Sequence, residues 1–230
     1  MINPQKICII MCVNNPLYLE ECFLYLNRLV IPDGFEVDIL TISDAKSMTS
    51  GYNEGLNASD AKYKIYMHQD VFITDIYFLQ ELIDIFSLDA SIGMVGIVGA
   101  YQMASSGIMW QAPREYSLYS HKNLNISLCS QYTKPTFENL SKVEVVDGLL
   151  IATQYDLPWR EDLFTGWDFY DASQSMEFKR AGYSIVVPVF NKPLCVHDDG
   201  LILNLSNYDD YRKIFLAEYK KDLSITSDTK

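Results

Sequence analysis

The run Tyr63-Lys64-Ile65-Tyr66-Met67, followed at once by His68-Gln69-Asp70-Val71, decides how this chain is read. The first five residues have the length and side chains of a buried strand. That strand ends abruptly in an imidazole, an amide and a carboxylate. Open α/β sheets bind ligands in the crevice outside the carboxyl ends of their strands, so polar groups at such an end are placed to meet one. A carboxylate and an imidazole together suit a divalent cation carrying phosphates. Taken alone, the same residues also fit a strand running into an acidic turn.

Working outward, Lys6 to Val13 is a continuous apolar run, as expected of a strand buried on both faces. Asn14-Asn15-Pro16 breaks it, and Leu19, Cys22, Phe23, Leu26 and Leu29 then repeat with helical spacing. Pro32-Asp33-Gly34 predicts a turn before a second strand, Phe35 to Ser43. Ser47 to Asn57 follows as a helix with Ser47 as N-cap. Beyond the quoted stretch come a helix over Asp75 to Phe86 and a strand over Ile92 to Ala100. From Tyr101 to Ser141 the chain is rich in Ser, Tyr, Asn and Gln with weak periodicity, which predicts a long functional excursion over the sheet. Strand character returns over Val143 to Thr153, with a helix over Phe169 to Ala181, a strand over Ser184 to Val189 and a closing helix over Tyr208 to Lys220. Alternating strands and helices of these lengths predict one α/β domain with a central, mostly parallel sheet flanked by helices.

Composition bounds the function. At 230 residues the chain can bury about 70% of its unfolded surface, enough for a full core. The net charge of −12 argues against nucleic acid as a partner, since such sites need clustered Lys and Arg. A pyrophosphate ligand would need local help against that field, and a bound cation supplies it. The five cysteines include no CxxC pair, which predicts reduced thiols in a cytoplasmic protein. Met1 to Val13 is too short for a signal peptide, and no stretch reaches the roughly 18 apolar residues of a membrane span. The first strand–helix junction lacks GxGxxG, so a dinucleotide-type phosphate turn is not expected. Asp44, at the end of the second strand, suits hydrogen bonds to a base or ribose, or equally a solvated turn or helix cap.

The order of these features resembles family-2-like glycosyltransferases of the GT-A fold. Lys6 to Ile73 is similar to their nucleotide-binding half: an apolar strand, an Asn-x-Pro-like turn, a Leu-rich helix and a strand ending in an acid, here Asp44. Then come Asn53-Glu54-Gly55 and a strand entering an Asp-x-Asp motif, here His68-Gln69-Asp70, as in a sub-group with His-Gln-Asp-Val-Phe-Ile. Val146 to Thr153 resembles the strand beneath the acceptor site. Gly166-Trp-Asp-Phe-Tyr-Asp171, followed by Glu177 to Tyr183, resembles the acidic segment and helix carrying the catalytic base. Cys195-Val-His197-Asp-Asp-Gly200 resembles the late histidine of a metal site.

The resemblance implies a glycosyltransferase domain over 1–222, with a nucleotide-binding half to about residue 100, an acceptor half over 101–222 and a frayed tail over 223–230. It implies transfer of a hexosyl group from a nucleoside-diphosphate donor, with uridine as its nucleoside, to a glycan, protein or lipid-linked acceptor, with inversion. The enzyme would be cytoplasmic or peripheral to a membrane. Asp171 is the expected base, with Asp168 the substitute one turn earlier. Asp44, His68 and Asp70 face the nucleotide, and Asp70 and His197 hold Mn²⁺ or Mg²⁺. Trp167, Trp110 and Arg160 are candidates for the sugar or acceptor. His68 replaces the usual first Asp and brings no negative charge, and mixed nitrogen and oxygen ligation suits Mn²⁺ better than Mg²⁺. Two rivals remain: a nucleotidyltransferase, disfavoured by the missing Gly- and Lys-rich phosphate loop, and a non-catalytic nucleotide- or glycan-binding relative.

Overall fold

The computed structural model describes residues 1–116, 118–121, 130–198 and 205–224. In chain order the elements are β1 (Asn3–Val13), α1 (Pro16–Leu26), β2 (Glu36–Ser43), α2 (Met48–Ala58), β3 (Ala61–Met67), β4 (Val71–Ile73), α3 (Phe78–Leu88), β5 (Ile92–Gly96) and β6 (Val98–Ala100). They continue with β7 (Arg114–Tyr116), β8 (Leu118–His121), β9 (Leu140–Val143), β10 (Val145–Val146), β11 (Leu150–Thr153), α4 (Tyr170–Arg180), β12 (Ser184–Pro188), β13 (Pro193–His197) and α5 (Tyr208–Tyr219).

Among the described residues, seven strands form the main sheet in the order β2-β1-β3-β11-β5-β12-β9. The pairings β1–β2, β1–β3 and β5–β12 are parallel. Only β11 and the edge strand β9 run against the rest. Along β1, Ile7, Ile9 and Met11 enter one core and Cys8 and Ile10 the other, which is why the sequence there is apolar without alternation. Each such buried Ile contributes about 1.5–3 kcal/mol.

Two expected strands are broken. Ile92 to Ala100 leaves the main sheet at Ile97, and its second piece, β6, pairs with β10 and β7 in a small antiparallel sheet. Val143 to Thr153 splits likewise into β10 and β11, separated by a turn at 147–149. Part of the 101–141 excursion, together with Cys129, lies outside the described residues. What is described there contains β7, β8 and the edge strand β9. Of the expected tail over 223–230, Leu223 is buried and the Ser224 amide donates to Glu144, while 225–230 lie outside the described residues.

A third small sheet, β4-β13-β8, stands at the carboxyl end of β3. It sets the site, because antiparallel β4 and β13 place His197 opposite Val71.

Candidate active site

The corner after β3 is built by backbone hydrogen bonds. His68 N donates to Leu149 O, Val71 N to His68 O, and Asp198 N to Asp70 O. Gln69 fastens the corner to the end of β1: its Oε1 accepts from the amides of Asn14 and Asn15, both at 3.0 Å, and its Nε2 donates to Asn14 Oδ1. Asn15 in turn caps α1 through the amides of Leu17 and Tyr18. Gln69 thus aligns two strand ends, a role its place in the motif did not reveal.

His68, Asp70 and His197 come together, each offering one ligand atom within 4.8 Å of the others. His197 Nε2 lies 3.6 Å and His68 Nδ1 3.9 Å from Asp70 Oδ1. The other ring nitrogen of His68 is 2.5 Å from the Tyr170 hydroxyl. Burial, reinforced by His197, pushes the His68 imidazole down to about 3, so it is neutral near pH 7. Two imidazoles and a carboxylate, one imidazole held neutral, form a donor set that fits a divalent cation tolerant of nitrogen, such as Mn²⁺.

Two cavities meet at this group. One, of about 360 Å³, is lined by Cys12, Asn14, Asp44, Met48, Gln69 and Asp70. The other, of about 480 Å³, is lined by Met109, Trp110, Asp147, Asp168, Asp171 and His197 among others. His68 and Trp167 line both. Trp167 and Trp110 are about half exposed, and the Arg114 guanidinium lies 5.0 Å from the Trp110 ring centre. Asp44 adopts φ 59°, a left-handed conformation that Asp tolerates better than most residues.

Asp171 sits in the first turn of α4. Its Oδ2 accepts from Gly148 N at 2.9 Å and its Oδ1 from Ala172 N at 2.7 Å. Burial, then the nearby Asp147, pushes its carboxyl up to about 7. Asp168 is raised by burial alone. Between them Phe169 has φ 62°, an outlier for a bulky side chain, at the residue that aims α4.

Arg160, expected at the sugar or acceptor, is not brought to the two cavities. It lines neither cavity and is occupied by Asp162, at 2.8 and 2.9 Å, with Glu177 and Glu218 beyond. Trp159 is 2% exposed and packs on Tyr52 and Tyr66 as core. Sequence reasoning assigned nothing to Tyr170, Asp147 or Gly148, although all three lie inside the quoted segments. Their roles come from contacts across the fold, which no local pattern encodes.

The mostly parallel sheet, with two cavities meeting at the carboxyl end of a central strand over a histidine–carboxylate group, is the GT-A fold shared with the solved structures that the chain resembles. The chain belongs to the family described as "Glycosyltransferase like family", which matches residues 8–219. No curated protein matches the sequence. Among solved structures it is similar to TarS of S. aureus, with 12% identity and TM-score 0.56 over 96% of this chain and 40% of that one. It is also similar to the mannosyltransferase PcManGT of Pyrobaculum calidifontis, solved with GDP-Man and Mn²⁺, with 12% identity and TM-score 0.60 over 95% of this chain and 64% of that one. A shorter TarS piece with UDP-GlcNAc gives TM-score 0.55 at 10% identity, over 96% of this chain and 68% of that one. The chain thus spans less than two thirds of the first TarS chain and of PcManGT. No helix among the described residues is long and apolar enough to cross a membrane.

Proposed function

We propose that the chain is an active glycosyltransferase of the His-Gln-Asp sub-group. It moves a hexosyl group from a nucleoside-diphosphate sugar, with uridine as the nucleoside, to an acceptor hydroxyl with inversion. The observation that carries this reading is the meeting of the two cavities at His68, Asp70 and His197, with Asp171 lining the second cavity. The neighbours' complexes with UDP-GlcNAc and with GDP-Man and Mn²⁺ support a nucleotide sugar as donor.

In this reading the nucleotide lies in the smaller cavity beside Asp44, and the acceptor enters the larger one between Trp110 and Trp167. Asp171 takes the proton of the acceptor hydroxyl, and the oxygen forms its bond to the anomeric carbon as the bond to the diphosphate breaks. The electron pair of the broken bond leaves on the diphosphate. His68, Asp70 and His197 would hold the divalent cation, which when bound neutralises charge on the diphosphate. Asp171 is suited to its role because its carboxyl titrates near 7, where a base is both available and strong enough. Its two amide contacts aim it, which a non-catalytic relative has no reason to keep. Glycan, protein or lipid-linked acceptors all fit this chemistry. The free cysteines at 8, 12, 22 and 195 support assignment to the reducing cytoplasm, in solution or at a membrane surface.

Calorimetric titration with UDP tests the donor site. Binding is expected to be appreciably tighter with Mn²⁺ than with a chelator, and Asp70→Ala should remove the difference. Equal affinity in both conditions for the unmodified protein would sink the cation assignment.

A further inference from the structure

His68 stands where the resemblance leads one to expect a carboxylate. An imidazole has something a carboxylate lacks: a second nitrogen on the far side of the ring. In this protein that nitrogen is engaged, since Nε2 lies 2.5 Å from the Tyr170 hydroxyl while Nδ1 turns toward Asp70. Tyr170 is itself held firmly. It is 4% exposed, with Tyr52 edge-on at 5.9 Å and Trp159 at 6.1 Å. Its hydroxyl fills the space beside Gly148, where a Cβ would come within 1.9 Å of the phenol oxygen, so only glycine leaves room. The same Gly148 donates its amide proton to Asp171, the residue after Tyr170.

We propose that Tyr170 is a positioning residue: it accepts the Nε2–H of His68 and so holds the imidazole with an unprotonated Nδ1 facing Asp70 and His197. This rests on the cation reading given above and adds to it the residue that makes His68 a competent ligand. A phenol suits the task because its oxygen accepts from Nε2–H when Nδ1 is needed as a ligand, and its O–H can donate a hydrogen bond to Nε2 in the other tautomer. Ligating histidines generally depend on such a partner on their other nitrogen, and losing it weakens metal binding about 10- to 100-fold. An aspartate at position 68 is shorter and would end short of the point where Nε2 meets the phenol, so His68 and Tyr170 act as one unit.

The test is a double-mutant cycle read by Mn²⁺ binding in the presence of UDP, followed by electron paramagnetic resonance. Tyr170→Phe is expected to weaken Mn²⁺ binding about 10- to 100-fold in a protein whose circular dichroism is unchanged. In a His68→Asp background the same substitution should have almost no effect. Equal losses in both backgrounds, or no loss with His68 present, would overturn the proposal. A second measurement needs no metal: ¹⁵N spectra of histidine-labelled protein should show the His68 tautomer balance shift in Tyr170→Phe, and an unchanged balance would also overturn it. If that balance shifts but the unmodified protein binds no Mn²⁺, the cation reading fails and the tie between His68 and Tyr170 stands.

Discussion

Two acids three residues apart, Asp168 and Asp171, both line the larger cavity, and their surroundings separate them. Asp171 is aimed by two amides and raised to about 7 by burial and Asp147, whereas Asp168 is raised by burial alone. An exposed Asp titrates near about 3.9, so folded Asp171 binds its proton more tightly than the unfolded chain does. Its contribution to stability is therefore complete below about pH 4 and is lost as pH rises through about 7. The proposed catalysis runs the other way, because only the ionised form removes a proton. Transfer is expected to rise with pH through about 7, measured as kcat/KM from pH 5 to 9. Asp171→Asn should slow transfer roughly 10²–10⁴-fold with little change in donor affinity, and should flatten the acid side of that profile. Asp168→Asn should keep the profile. A dead Asp168→Asn beside a normal Asp171→Asn would move the base by one helical turn.

Among the elements, α2 shows how a motif legible in sequence acquires its physical reason only in the fold. Asn53 clamps the backbone of Trp159, donating to its carbonyl at 2.9 Å and accepting from its amide at 2.8 Å. Gly55 lets the helix lie directly on β1, where a Cβ would meet Ile10 Cγ2 at 2.4 Å. Helix propensity favours Gly55→Ala by about 1 kcal/mol, but forcing a methyl onto a stiff β-branched neighbour costs about 1–3 kcal/mol. The clash should win, and thermal unfolding of Gly55→Ala is expected a few degrees below the unmodified protein. A higher midpoint would show that the helix can lift off β1 freely. The βα units up to β3 were legible because their periods and caps are local: Ser47 does cap α2, and Pro16 opens α1 behind Asn15. The antiparallel insertion of β11 between β3 and β5 was not legible, nor was the pairing of β4 with β13. A three-residue strand carries no periodic signal, and its partner lies more than 120 residues away along the chain. The site shows the same division. Asp70, His197 and Asp171 stand in quotable motifs, whereas Arg160 is engaged by Asp162 two residues on and by Glu177 of α4 and Glu218 of α5, the last two beyond the reach of any local pattern.

Across the whole molecule, the β4–β13 ladder that carries the candidate cation group at one end is tied down at the other by buried charge. Thr74 N and Asp75 N donate to Leu194 O as β4 ends. Lys192, just before β13, reaches Asp75 Oδ2 at 2.5 Å, touches Glu81 of α3 and donates to Gln131 O at 2.8 Å. Glu81 also accepts from the Thr133 amide, so the returning excursion, α3 and the third sheet share one ion cluster. All three charged groups are under 10% exposed, and burial raises Glu81 even though Lys192 opposes it. One cation thus serves two buried carboxylates in a chain whose net charge is already −12. Lys192→Met keeps most of the side-chain volume and removes that cation. Breaking a buried pair costs about 3–5 kcal/mol, and for a domain of this size each kcal/mol lowers the midpoint by about 2–4 °C. A fall on the order of 10 °C is therefore expected at pH 8. The sign with pH follows from the acids left behind. Without Lys192 the folded-state value of Glu81 rises further above its unfolded value, so the native state favours its protonated form and loses stability as pH rises. At pH 5 the proton it needs is available, and the variant should recover much of its midpoint relative to the unmodified protein. Melting curves of both proteins at pH 5, 6.5 and 8 check this. A deficit that is the same at every pH would mean that the lysine contributes packing alone and that the two carboxylates are neutralised by other means.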